Sequence, residues 1–152
     1  MGKLFKDEKV GDIYKRLIAE PKYVKPGTPL SKVADIFLSD LKRRTVFVVD
    51  QKMHVVGAVM LSTVLKHVAY RAGVRGKGAF SFIKFLAEIL SENVEDVMIP
   101  VETITPEDTI EKALMIVVNK GILDIPVVDN AGMLIGELNG IEILAEGKRL
   151  LK

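Results

Sequence analysis

Of the residue types that most often carry nucleophilic or metal chemistry, cysteine and histidine are absent or nearly so among the 152 residues. There is no cysteine, which removes thiolate nucleophiles, disulfides and zinc–thiolate sites together. Only His54 and His67 are available for a Ser-His-Asp triad or a histidine metal site. His67 falls on an apolar helical pattern, where a packed or surface histidine is expected. His54 falls in a hairpin and is expected to be exposed. No paired-carboxylate motif lies on a predicted loop, so an enzyme is not expected. Two cationic stretches remain. Lys42-Arg43-Arg44 reads as the solvated end of a helix complementing its dipole, or else Arg44, entering a strand, turns toward a phosphate. Arg71, Arg75 and Lys77 flank or occupy Gly73-Val74-Arg75-Gly76-Lys77-Gly78, which lacks phosphate-loop spacing and reads as a mobile linker.

At 49% hydrophobic and 28% charged, the chain suits one compact domain or two small units sharing an interface. No apolar run approaches the roughly 20 residues that span a bilayer, and Met1–Val10 lacks the apolar core of a signal peptide. A cytoplasmic protein is expected, without membrane partners. A net charge of +2 gives little pull toward nucleic acid, which is not expected as a partner. A single glutamine among abundant charges is compatible with a thermophilic source.

The elements that position any site occur twice. Val24-Lys25-Pro26 aligns with Ile104-Thr105-Pro106 at an offset of 80; Leu30, Lys32, Val33 and Ile36 then meet Ile110, Lys112, Ala113 and Ile116. After one gap, Val48-Val49-Asp50 meets Val127-Val128-Asp129, Gly57 meets Gly136, and Leu65 meets Leu144. Each copy begins with a short strand ending at proline, Lys22–Pro26 or Val101–Pro106. A helix follows, with apolar stripes Leu30, Val33, Ala34, Phe37, Leu41 and Ile110, Ala113, Leu114, Val117, Val118. Thr28-Pro29 opens the first helix; Asp108-Thr109-Ile110-Glu111, with capping-box spacing, opens the second, and Gly121 stops it. Hairpins come next, Val46–Asp50 with Val55–Val59 and Ile125–Asp129 with Leu134–Leu138. Asp50 and Asp129 are expected to start their turns. Final helices lie near Ser62–Tyr70 and Ile141–Lys148, with a plain N-cap as the alternative reading of Ser62. Between the copies, Phe82, Phe85, Leu86, Ile89 and Leu90 share one helical face, with Phe80 and Phe85 spaced as a staple around a Ser81 cap. That face must be buried on the repeats or on a second subunit. The predicted class is α/β (α+β), two βαββα repeats: repeat 1 over 11–70, a helical linker over 71–93, repeat 2 over 94–148.

These features resemble a CBS-domain pair over about Gly11 to Leu144. The stretches that carry the resemblance are Val94-Glu95-Asp96-Val97-Met98, Ile104 to Leu114, Ile125-Pro126-Val127-Val128-Asp129-Asn130-Ala131-Gly132 and Leu134-Ile135-Gly136. The first copy departs at Phe47, where a proline is usual. The resemblance implies repeats related by a pseudo-twofold axis, clefts between them that hold adenine nucleotides or adenosyl ligands, and further dimerisation.

It also implies a Gly-x-x-Thr/Ser-x-x-Asp motif ahead of the last helix. There, the helix start and hydroxyl suit a phosphate and the carboxylate takes ribose hydroxyls. The first copy has Met60 and Thr63 at these positions, the second Asn139 and Glu142. The second is favoured, since Asn139 keeps a hydrogen-bonding group and Glu142 a carboxylate. The alternative for Glu142 is to complement a helix N-terminus. The expected ligand-binding set is therefore Asn139 and Glu142 with Ile104, Thr105, Leu123, Asp124, Ile125 and Pro126, and in the first copy Arg44, Thr45, Met60, Ser62 and Thr63. Ile104, Leu123, Ile125 and Pro126 would sandwich an adenine, while Asp124 disfavours a phosphate and favours a nucleoside. No cofactor or metal is required; AMP, ADP, ATP or S-adenosylmethionine is the expected regulatory ligand. The leading expectation is a stand-alone sensor that signals to an unidentified protein partner and forms a homodimer. The alternative is a ligand-free dimerisation or protein-interaction module.

Overall fold

The computed structural model describes residues 7–16, 20–74 and 79–151, with 74 and 79–81 described by backbone alone. The elements are α1 (Val10–Ile13), β1 (Tyr23–Val24), α2 (Leu30–Ser39), β2 (Thr45–Val49), β3 (Val55–Met60), α3 (Leu61–Val74) and α4 (Ala79–Leu90). A 3-10 turn (Val94–Asp96), α5 (Ile110–Lys120), β4 (Asp124–Val128), β5 (Leu134–Asn139) and α6 (Gly140–Leu150) follow. Mixed α and β elements match the class read from the sequence; the first copy is βαββα, and the second is αββα with a single bridge where its first strand is expected.

The chain divides into two units: residues 1–21, 52–55 and 101–152 in one, 22–51 and 56–100 in the other. We call them the second-repeat unit and the first-repeat unit. The division does not follow chain order, because each repeat's leader packs on the other repeat's body. In the first-repeat unit, Leu30 N donates to Glu92 O (2.8 Å) and Val94 N to Thr28 O (2.9 Å). In the second-repeat unit, Ile110 N donates to Glu8 O (2.9 Å) and Val10 N to Asp108 O (2.8 Å). Val10-Gly11-Asp12-Ile13 thus plays the part of Val94-Glu95-Asp96-Val97. The leader's apolar pair completes each core. Val10 and Ile13 are enclosed with Ile104, Ile110, Ile125 and Leu138, and Val94 and Val97 with Leu30, Val33, Val46 and Val48. Each such burial contributes about 1.5–3 kcal/mol.

In the first-repeat unit the sheet order is β1-β2-β3, with β1 parallel to β2. In the second, β4 and β5 pair antiparallel. The strand expected over Val101–Pro106 shrinks to one bridge, Ile104 with Val127. Linker helix α4 buries Phe85 and Ile89 in the first-repeat core, which settles where its apolar face goes.

Several expectations need correction. Leu41 lies beyond α2 and is exposed, because the helix stops at Ser39. Val118 is exposed, and Ile116 takes its place in the core. Pro29, not Thr28, occupies the N-cap of α2, with no side-chain cap. Lys42-Arg43-Arg44 lies after the helix, and Arg43 is buried, its Nε bonded to Asp40 Oδ2 at 3.3 Å. Gly73 and Val74 continue α3 rather than opening a loop. The staple of Phe80 around Ser81, and the Arg75–Gly78 part of the basic loop, fall outside what the structure describes. The cap of α5 falls one residue later than the capping-box spacing places it: Thr109, not Asp108, accepts from Lys112 N (3.1 Å), and no box with Glu111 forms; Gly121 ends the helix at φ 66° as expected. Asp129 Oδ1 accepts from Ala131 N and Met133 N, both at 2.9 Å, and so holds the β4–β5 turn.

The paired glycines have a common use. A Cβ at Gly57 would lie 2.8 Å from Met98 Sδ, and one at Gly136 would lie 2.6 Å from the Tyr14 ring. Both neighbours come directly after a leader, so each glycine lets the returning chain lie flat on a strand. Gly136→Ala is expected to cost about 1–3 kcal/mol, as overpacking does. Denaturant unfolding of Gly136→Ala alone and combined with Tyr14→Ala checks this: the second change should remove much of the penalty of the first.

Candidate functional site

The candidate motif of the second repeat lies at the open end of the β4–β5 hairpin, where β5 runs directly into α6. Asp124 stands across from Asn139 in the ladder, the last pair before the strands part. Gly140 N donates to Leu123 O at 2.9 Å, tying the first turn of α6 to the entry of β4. Leu123, Asp124, Asn139 and Glu142 therefore gather in one place. Leu123 is exposed, Asp124 and Asn139 are half-buried, and Glu142 is buried.

Asn139 and Glu142 form a reciprocal capping box. Asn139 Oδ1 accepts from Glu142 N (3.0 Å), and Glu142 Oε1 accepts from Asn139 N (3.1 Å). An asparagine followed three residues later by glutamate at a helix start satisfies two backbone donors that would otherwise lack partners. A carboxylate offers about four acceptor positions, so the Asn139 bond does not by itself exhaust it.

The other residues chosen with this motif are distributed differently. Ile104 and Ile125 are enclosed in the core, and Pro126 is buried within β4. Ile104 is held by its backbone, with Ile104 N donating to Pro126 O (3.0 Å) and Val128 N to Ile104 O (2.8 Å). Thr105 follows one residue later, level with Val128. It is thus about 13 Å along the strand from Asp124 at strand rise. Its N–H is taken by Asp108 Oδ2 at 2.8 Å.

The first repeat reproduces the arrangement with weaker chemistry. Leu61 N donates to Arg44 O at 3.0 Å, the counterpart of the Gly140–Leu123 bond. This sets Arg44 and Thr45, entering β2, beside Met60, Ser62 and Thr63 at the start of α3. Thr45 is buried, Met60 and Thr63 are half-buried, and Ser62 is exposed. Because α3 begins at Leu61, Ser62 lies within the first turn instead of capping it. The Arg44 guanidinium turns back on its own loop, where Nη1 donates to the carbonyls of Leu41 and Arg43. His54 is half-buried, with its ring 3.5 Å from where a Cβ on Gly132 would lie, rather than exposed as expected. His67 is exposed on α3.

Sequence reasoning missed the buried charges. Glu137, Glu146 and Glu8 are each almost wholly enclosed. Glu137 sits in β5 between Gly136 and Leu138, across from Pro126. Only its place inside an otherwise apolar strand pattern marks it. Among the described residues no three acidic or histidine side chains gather as a metal site would require. None of the helices described is long and apolar enough to cross a membrane.

Comparison with known proteins places these features. The family model described as CBS domain matches residues 10–70 and 94–146, well over half of the chain. A CBS domain-containing protein from Thermotoga maritima superposes with a TM-score of 0.73 at 28% identity, covering 93% of this chain and 94% of that one. CBSX2 in complex with AMP gives 0.70 at 21% identity, over 95% and 99%. The CBS domain pair of protein MJ0100, in complex with 5′-methylthioadenosine and S-adenosyl-L-methionine, gives 0.69 at 18%, over 92% and 97%. A search of curated proteins finds no match.

One charge near Thr105 is shifted by its surroundings. Burial pushes the Asp108 carboxyl up, but the Thr105 N–H and the Lys112 ammonium, 3.2 Å away, outweigh it and hold it below its ordinary value. A carboxyl depressed by folding adds stability above its unfolded pKa of about 3.9 and loses it as pH falls through the folded value. Asp108→Asn should therefore lower stability at neutral pH, and the gap to the parent should close below about pH 4. Urea melts across that range test this; a gap independent of pH contradicts it.

Proposed function

Since the chain belongs to the CBS domain family, we propose that it is a regulatory module that binds an adenosyl ligand at the open end of the β4–β5 hairpin. The observation that carries the reading is the gathering of Asp124, Asn139 and Glu142 at the first turn of α6. Ribose hydroxyls would donate to the Glu142 carboxylate and exchange bonds with the Asn139 amide. The first amides of α6 suit an electronegative group, while Asp124 disfavours a phosphate beside it and selects the nucleoside part. Two proteins of the same fold hold AMP, or 5′-methylthioadenosine and S-adenosylmethionine, which supports this ligand class. The matching end of the first repeat has Met60 and Thr63 in place of these groups, and we assign it no ligand. A ligand that prefers one arrangement of the chain shifts its population, and a partner protein reads the change.

A second copy of the chain is the partner we propose for the exposed helix faces. Leu38 and Val118 occupy equivalent places on α2 and α5 and are 74% and 66% exposed. Leu65 and Leu144, equivalent on α3 and α6, are 47% and 73% exposed. Large apolar side chains left in water at the same positions of both repeats support that reading. Native mass spectrometry should find a dimer that Leu65→Glu with Leu144→Glu reduces to monomer.

The capping box also favours a second reading, a ligand-free interaction module, because Asn139 and Glu142 already satisfy each other. Thermal denaturation with AMP, ADP, ATP and S-adenosylmethionine separates the two. The sensor reading predicts that at least one raises the midpoint by roughly 5–10 °C at a hundred times its Kd. Glu142→Gln keeps the cap but weakens the acceptor, and should shrink that shift relative to its own ligand-free midpoint. No shift with any of the four leaves the interaction module.

A further inference from the structure

The first leader is fastened differently from the second. Glu95 closes the second leader on Gly27, whose N–H donates to both carboxylate oxygens at 2.9 and 2.8 Å. Its neighbour Glu92 is gripped by Arg71 at 2.6 Å. In the first leader Gly11 replaces Glu95, and its N–H donates instead to Pro106 O at 2.9 Å. An exposed pair, Lys9 Nζ with Glu107 Oε2 at 3.3 Å, lies at the near end, and the ionic fastening to buried carboxylates lies at the far end. Arg16 Nη1 donates to Glu146 Oε2 at 2.6 Å, Arg149 Nε donates to Glu146 Oε1, and Arg149 Nη2 reaches Glu8 Oε1 at 3.3 Å. Both carboxylates are buried, while Arg16 and Arg149 are half-exposed. Two enclosed acids on different segments thus share cations at the surface, and an enclosed acid without its cation is costly. Between α1 and Arg16 the backbone is strained: Lys15, which has a Cβ, is held at φ 78°.

We propose that residues 8–16 form a strap that undocks as a unit from the second-repeat body while the rest of that body stays folded, with Arg16–Glu146 as its clasp. Release relaxes Lys15 and lifts Tyr14 from Gly136, the first residue of the Gly136-x-x-Asn139-x-x-Glu142 motif. Docking of the strap thereby sets the surroundings of that motif. The second leader, closed by Glu95 and Arg71, stays in place.

Native-state hydrogen exchange on the full chain tests this without any ligand, so its result is separate from that of the sensor reading. The amides of Val10, Gly11 and Ile110, all bonded across the strap, should exchange together. They should do so about tenfold or more faster than those of Ile104 and Val128 in the strand core. Arg16→Ala should speed the three strap amides a further fivefold or so and leave Leu30 and Val94, their counterparts, unchanged. Exchange of the strap amides at the rate of Ile104 and Val128 would overturn the proposal. So would an Arg16→Ala variant with unaltered strap amides.

Discussion

The fold depends on an exchange of backbone hydrogen bonds at two helix starts. The first amides of a helix have no partner within it, and here the amide of Ile110 is met by Glu8 O and that of Leu30 by Glu92 O. The carbonyl that completes each repeat comes from the leader of the other. Two apolar side chains travel with each leader, Val10 with Ile13 and Val94 with Val97, and enter the core beneath the helix just started. A three-stranded sheet with two helices buries little surface alone. The exchange enlarges each core by what the other half supplies.

From this constraint the geometry of the hairpin ends follows. Once a leader has crossed, its chain must return over a strand, and Gly57 and Gly136 leave room for Met98 and Tyr14 to do so. With the strand fixed from that side, β3 and β5 run straight into α3 and α6, and one backbone bond ties each helix start to the entry of the neighbouring strand. The same scaffold is built twice, but the side chains on it differ. Asn139 and Glu142 give the second repeat a polar, capped corner, where Met60 and Thr63 leave the first without a carboxylate. The duplication supplies the frame, and divergence at these few positions sets the two corners apart.

Much of the frame was legible in the sequence, because apolar periodicity is local. The stripes through Leu30, Val33 and Phe37 and through Ile110 and Ala113, the stop at Gly121 and the Asp129 turn all stand as read. Expectations failed where tertiary packing decides. Leu41 continues the stripe in sequence but lies past the helix end, and Val118 yields its core place to Ile116. The strand at Val101–Pro106 contracts to one bridge at Ile104 because only that residue meets β4. Of the site, Asn139 and Glu142 come from the motif that the resemblance implies; their reciprocal capping, which the Asn-x-x-Glu spacing also signals, was missed. Burial of Ile104 and Ile125, and the separation of Thr105 from Asp124, could not be read from spacing. The charged cluster of Glu8, Arg16, Glu146 and Arg149 was invisible because its members lie up to 141 residues apart.

The leader exchange is most directly tested by methyl NOE spectroscopy on the intact chain. Ile13 is expected to show contacts with isoleucine methyls of the second repeat, among Ile104, Ile110, Ile125 and Ile143, while Val94 and Val97 show contacts within the set Val33, Val46 and Val48. Contacts from Ile13 to Val33, Val46 or Val48 instead would mean that each leader folds onto its own repeat, and would contradict the account.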